Sequence, residues 1–262
     1  MLRSAFLLCL ILALASVAVA HPHESGFLNR TISVNGETYR FQVFVPENWD
    51  RNAKWPVILF LHGAGERGDD GILQTDIGFG HAIRQDASRW PAVVVMPQCR
   101  RDKLWVDADM QAQALAALDQ SVHEFHGDRS RLYLTGLSMG GYGSWEMAAK
   151  HAKVFAAVVV ICGGIHSPPT YPPLRVSLVT DRKVTDPYAE TARRIGQTPV
   201  WIFHGGADDT VPVEESRKMA AALKDVGANF RYTEYPGVSH NSWDQAYAEP
   251  GLTAWLFSQR LH

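Results

Sequence analysis

Charge of one sign is missing from this chain. Its 25 Lys and Arg face 27 Asp and Glu, a formal net charge of -2. No polybasic block appears, which excludes a nucleic-acid or anionic-membrane surface as the main partner. Long apolar runs are also missing after the first twenty residues, so no later stretch is suited to spanning a bilayer. No repeat recurs at the periods of solenoids or propellers. Gly 21 and Pro 14 are ordinary counts, which sets aside collagen-like and low-complexity classes. Cysteine is scarce, with three in 262 residues, at positions 9, 99 and 162. What the chain does have is 46% hydrophobic residues, ample for a globular core.

Residues 1 to 20 read as a secretory signal. Arg3 gives the positive start, an apolar run follows from Ala5 to Leu14, and Ala18-Val19-Ala20 offers the small-x-small cleavage pattern before His21. The alternative, an uncleaved anchor, needs a longer run. Cleavage after Ala20 predicts a secreted or periplasmic protein with no stable membrane insertion. His21 and His23 then form a frayed tail rather than a metal site. Cys99 and Cys162 remain. An exporting route permits them to pair, while their positions after apolar strands equally suit two separate buried thiols.

Residues 21 to 262 read as a single catalytic domain of alternating strands and helices. Thr31–Val34 and Tyr39–Val45 alternate around Asn35-Gly36, a hairpin signature. Val57–Leu61, Val93–Met96, Leu132–Leu134, Ala156–Ile161 and Val200–Phe203 are continuous apolar runs, as strands buried on both faces require. A last strand runs over Phe230–Tyr235. Helical patterning opens at Asp109, with Leu115, Leu118, Val122 and Phe125 on one face, and ends at Gly127-Asp128. Ser138–Lys150, Val213–Val226 and Thr253–Leu261 are further helices. The pattern predicts an α/β fold, a mostly parallel sheet with an antiparallel start and helices on both faces. Residues 163 to 198 are the least patterned stretch, with the stiff Ser167–Pro173 run and a short helix within Val184–Gly196. That stretch is either a small lid or a surface excursion.

Gly136-Leu137-Ser138-Met139-Gly140 follows a strand and precedes a helix, the context a nucleophile elbow requires. Small neighbours allow strand and helix to close around the turn and lift the serine hydroxyl above the sheet. A serine needs a base, and His240 sits on the loop after the last strand. The imidazole needs a carboxylate, and His204-Gly205-Gly206-Ala207-Asp208-Asp209 offers two at the end of the Val200–Phe203 strand. An oxyanion needs two donors. The Met139 N–H follows the serine. The loop His62-Gly63-Ala64-Gly65-Glu66-Arg67-Gly68 supplies the second, from Ala64 or, failing that, Gly65. His62 reads as a brace for that loop. Gly65, Trp105, Tyr142 and Trp243 are candidates for the substrate pocket. No metal-ligand spacing is present.

Leu61–Gly68, Met96-Pro97-Gln98-Cys99, Gly136–Gly141, Phe203-His204-Gly205 with Asp208, and His240-Asn241-Ser242-Trp243 together resemble the α/β-hydrolase superfamily. More narrowly they resemble its secreted carboxylesterase branch, related to dienelactone hydrolases, polyhydroxybutyrate-depolymerase-like esterases and predicted peptidases. The resemblance implies an eight-stranded sheet, triad order Ser138, Asp208, His240, and the first aspartate of the pair as the acid. It implies serine ester hydrolysis without metal or organic cofactor. The partner is then a small-molecule or polymer-linked ester, short-chain or aryl, with xylan-linked feruloyl or acetyl esters, polyester fragments and lysophospholipids open. A prolyl-oligopeptidase-like peptidase shares the triad. A non-catalytic binding protein is the remaining class, and it predicts a missing triad member or missing loop glycines, neither of which this sequence displays.

Overall fold

The structure is a computed structural model and describes residues 24–261. The signal segment, its cleavage site and the His21/His23 tail lie outside the described residues.

The sheet has eight strands: β1 (Gly26–Val34), β2 (Glu37–Val45), β3 (Trp55–Leu61), β4 (Val93–Pro97), β5 (Gly127–Leu137), β6 (Ala157–Ile161), β7 (Val200–Gly205) and β8 (Phe230–Tyr235). Their spatial order is β1-β2-β4-β3-β5-β6-β7-β8. β1 and β2 pair antiparallel, as do β2 and β4; the remaining pairs are parallel. This is the α/β-hydrolase fold.

β3, β4 and β6 are apolar throughout because each feeds two cores. Val57, Leu59 and Leu61 point to one face, where they pack with α2 (Ala108–Glu124), α3 (Met139–Lys150), α4 (Pro187–Ile195) and α5 (Glu214–Asp225). Ile58 and Phe60 point to the other, against α1 (Phe79–Gln85), α6 (Trp243–Ala248) and α7 (Leu252–Phe257). Val93 and Val95 against Val94 and Met96, and Val200 and Ile202 against Trp201 and Phe203, divide the same way. The period of two along a strand produces this division.

Differences from the sequence reading are local. α1 was not anticipated, since seven residues give little periodicity. α2 stops at Glu124, short of Gly127, and β5 begins at Gly127, five residues before the apolar run. The closing helix stops at Phe257 rather than Leu261. Cys99 and Cys162 are free and buried, one in each core layer with the sheet between them, so the separate-thiol reading holds and no pairing occurs. Burial pushes both thiols up from their ordinary pKa. Among the described residues, no helix is long and apolar enough to cross a membrane.

Candidate functional site

Parallel strands end on one side of the sheet, and loops leaving their carboxyl ends meet there. Four such loops, after β3, β5, β7 and β8, build the site.

Ser138 stands between β5 and α3 with φ 52° and ψ -119°. That left-handed backbone is costly for a residue bearing a Cβ. Neighbouring contacts hold it: Ser138 N–H donates to Ile161 O at 3.0 Å, and Tyr142 N–H closes the first helical turn onto Ser138 O at 3.1 Å. Gly140 is obligatory, because a Cβ there would collide with the Leu61 carbonyl at the end of β3. The close approach of α3 to β3 also delivers the β3 loop to the serine. A Cβ on Gly63 would lie 3.8 Å from Ser138 Cβ.

His240 Nε2 lies 2.9 Å from Ser138 Oγ, and its Nδ1 lies 2.7 Å from Asp208 Oδ2. The loop carrying His240 reaches this position because Gly205 has no side chain; a Cβ there would strike the Val238 and Ser239 carbonyls. The Asp208 side chain has no exposed surface. Its Oδ1 accepts from Thr210 N–H and Val211 N–H, both at 2.9 Å, and Oδ2 faces His204 Nε2 at 3.1 Å. Burial alone would raise the Asp208 pKa. Hydrogen bonds from His204 and His240, with the attraction of His240, outweigh it and hold the carboxyl well below the usual range. Asp209 is exposed and accepts only from Thr210 Oγ, at 3.3 Å. The structure therefore brings Ser138, Asp208 and His240 into one line and leaves Asp209 outside it. A hydroxyl so placed can pass its proton to the imidazole.

The β3 loop is braced from behind. His62 is fully buried, accepts from Cys99 N–H at Nε2 (3.0 Å) and donates from Nδ1 to Gly63 O (2.6 Å). Burial lowers its pKa to about 4. Gln98 accepts from Gly71 N–H at 2.7 Å and donates to Glu66 O at 3.1 Å. Arg67 Nε donates to Ala64 O at 2.9 Å, and its Nη1 donates to the Tyr171 hydroxyl at 3.2 Å. Gln98 and Arg67 were missed as loop supports; nothing in a lone glutamine or arginine distinguishes a brace from a surface residue. Ala64 is half-buried and Gly65 exposed, while Met139 opens α3, where a first-turn N–H has no intrahelical acceptor.

The pocket candidates divide. Trp243 is half-buried and stands edge-on to His240, ring centroids 5.6 Å apart. Trp105 and Tyr142 differ from expectation: neither has exposed surface. Trp105 Nε1 donates to His62 O at 3.0 Å and Tyr142 Oη donates to His166 O at 2.9 Å. Both back the site from inside the core instead of lining it. Their aromatic character had suggested contact with substrate; their bulk serves packing.

Residues 163–198 are fastened rather than loose. Glu215 on α5 accepts from Ile165 N–H (2.8 Å), His166 N–H (2.9 Å) and Tyr188 Oη (2.7 Å), and Glu146 on α3 accepts from Ser177 N–H (2.8 Å). One group of three metal-capable side chains occurs among the described residues, Cys162, Asp208 and His240, with donor atoms within 4.8 Å of one another. Two of the three are already hydrogen-bonded to each other.

A secreted protein of Arthroderma benhamiae is 30% identical over 213 residues, covering 74% of this chain and 22% of its own length. A probable feruloyl esterase C of Aspergillus niger is 28% identical over 175 residues, covering 64% of this chain and 63% of its own. Among solved structures, a thermostable esterase superposes with a TM-score of 0.74 at 31% identity, covering 89% of this chain and 63% of that one. The chain thus spans less than two thirds of the length of these relatives. The profile of the Dienelactone hydrolase family matches residues 98–247, which include Ser138, Asp208 and His240. On that match, over more than half its length, this chain belongs to the dienelactone hydrolase family.

Proposed function

We propose that the chain is an exported serine ester hydrolase acting through an acyl-enzyme. The observation that carries the reading is the hydrogen-bonded line from Ser138 Oγ through His240 to the buried Asp208. Ser138 Oγ attacks the ester carbonyl carbon while His240 Nε2 takes its proton. The carbonyl oxygen becomes an oxyanion held by the Ala64 and Met139 N–H groups. Collapse expels the alcohol, which takes the proton from His240. Water, deprotonated by His240, then attacks the acyl-enzyme, and the acid leaves. Asp208 keeps the imidazole oriented and balances its transient charge. No step calls on a metal or organic cofactor.

Export rests on the leader at residues 1 to 20, cleaved after Ala20, and is supported by the relative named as secreted. Short-chain or aryl esters suit the site, with Gly65 and Trp243 at the substrate's edge. The relatives named as probable feruloyl esterases support feruloyl esters as a substrate class for this site.

Initial rates on p-nitrophenyl acetate, butyrate and octanoate, methyl ferulate and a peptide p-nitroanilide test the reading. Ester turnover by the wild type that vanishes in Ser138→Ala is expected. Amide cleavage of comparable efficiency overturns it in favour of a peptidase, and equal background rates in both proteins overturn catalysis on such esters.

A further inference from the structure

His204 lies near the carboxyl end of β7, fully buried, and the mechanism above gives it no step. Its contacts are specific. Nε2 faces two acceptors, Val211 O at 3.0 Å and Asp208 Oδ2 at 3.1 Å, so the hydrogen resides on Nε2. Nδ1 meets Ser216 Oγ, on α5, at 2.7 Å. Ser216 is itself fully buried. The Asp208 oxygen that His204 reaches is the same one that His240 Nδ1 reaches.

We infer that His204, oriented by Ser216, is a positioning residue for the acid of the triad, acting through Asp208 Oδ2. The inference rests on the proposed roles of Ser138, Asp208 and His240. Geometry carries it. A carboxylate with two backbone donors on Oδ1 and two imidazoles on Oδ2 cannot rotate without losing a bond, so its bond to His240 has one direction. A buried side chain serving only to fill space at this position has no need of two ring nitrogens, each with a partner. The shared oxygen has a second consequence. His204 and His240 compete for that one oxygen, so loss of His204 leaves Oδ2 to the bond from His240 alone. The titratable groups facing this pair are His240, the Cys162 thiol, the Tyr142 phenol and, from β8, Glu234, which is itself held by Arg217.

The test compares His204→Leu, His204→Gln and Ser216→Ala with wild type on p-nitrophenyl acetate, following kcat and KM across pH, with thermal melting to establish folding. His204→Leu is expected to lower kcat by about tenfold or more, with little change in KM, and to move the acid limb of the profile to higher pH. His204→Gln, whose amide can again present an N–H to Asp208, recovers much of that loss. Ser216→Ala, which leaves the imidazole in place, shifts kcat in the same direction by a few fold. Folded variants with wild-type kcat and an unmoved acid limb overturn the inference. So does an equal loss in the Leu and Gln variants, or a rise confined to KM. If His204→Leu does not fold, the other two variants decide by the same criteria. Should Ser138→Ala retain full ester turnover, the triad reading itself fails; should it be inactive while the His204 and Ser216 variants match wild type, only this inference fails.

Discussion

Two segments flank Ser138 and are held in opposite ways. The loop 62–71 is short and is braced by the neighbouring strand end: Cys99 N–H caps His62, and Gln98 spans Glu66 and Gly71. The excursion 163–198 is long and is fastened from below by two helix carboxylates, Glu146 and Glu215. Adjacency along the sheet suffices for the first. The second strays from the sheet, and its backbone donors need acceptors that reach out to them. The comparison teaches that order in a long segment here comes from buried carboxyl acceptors together with the packing of α4 and of Ile165, Leu174, Val176 and Leu178 into the core.

Removing Glu215 should separate the two segments most strongly. Glu215→Ala leaves two backbone N–H groups and the Tyr188 hydroxyl without their acceptor, a loss of about 4 kcal/mol in stability when unmet buried donors cost 1–3 kcal/mol each. Urea denaturation measures it. Limited proteolysis should cut first within 163–198 and spare 62–71. Equal cleavage of both segments would dissolve the distinction.

Acid should act on the other segment. His62 has its pKa lowered to about 4 by burial, against 6.5 in an unfolded chain. Between those values the unfolded state binds the extra proton, so stability falls as pH drops from about 6.5 and levels off below about 4. The full shift corresponds to about 3 kcal/mol. Protonation would also place a donor at Nε2, where Cys99 N–H already donates. Unfolding midpoints across pH should lose this slope in His62→Gln and keep it in Glu215→Gln.

Gln98→Leu strikes the same loop at its midpoint. It leaves Gly71 N–H unmet, for a cost of about 2 kcal/mol, and frees the loop that presents Ala64. The expected signature is a fall in kcat at temperatures where the protein stays folded, with the proteolytic pattern of 163–198 unchanged.

How much of this was legible in the sequence follows from range. The doubly apolar strands, the serine turn and the loop histidine are local patterns, so β3 to β8 were readable as runs, and Ser138 and His240 could be named as candidates from their places at strand ends. Asp208 was separated from Asp209 only through resemblance, since one position decides which carboxylate turns inward. Trp105 and Tyr142 misled because an aromatic near a motif carries no sign of which way it faces. Glu146, Glu215, Gln98 and His204 were illegible for one reason. Each supports a segment 12 or more residues distant, or on another element, and a polar residue in or beside a helix or strand looks the same whether it meets water or a buried backbone.

The two segments touch through Arg67 and Tyr171. Arg67 donates to Ala64 O in one and to the Tyr171 hydroxyl in the other, with its guanidinium carbon 5.8 Å from the centre of the tyrosine ring. Tyr171→Phe removes the acceptor and keeps the ring, so the cation–π contact survives and the cost is about 0.5 kcal/mol. Because Arg67 retains Ala64 O, kcat should change by less than about twofold, in keeping with that cost. Any effect should fall on substrates whose alcohol or acyl part is bulky enough to reach the excursion, seen as a KM difference between methyl ferulate and p-nitrophenyl acetate. A large loss of kcat on both esters would mean that the excursion helps to set the position of Ala64, and that the two segments act as one wall.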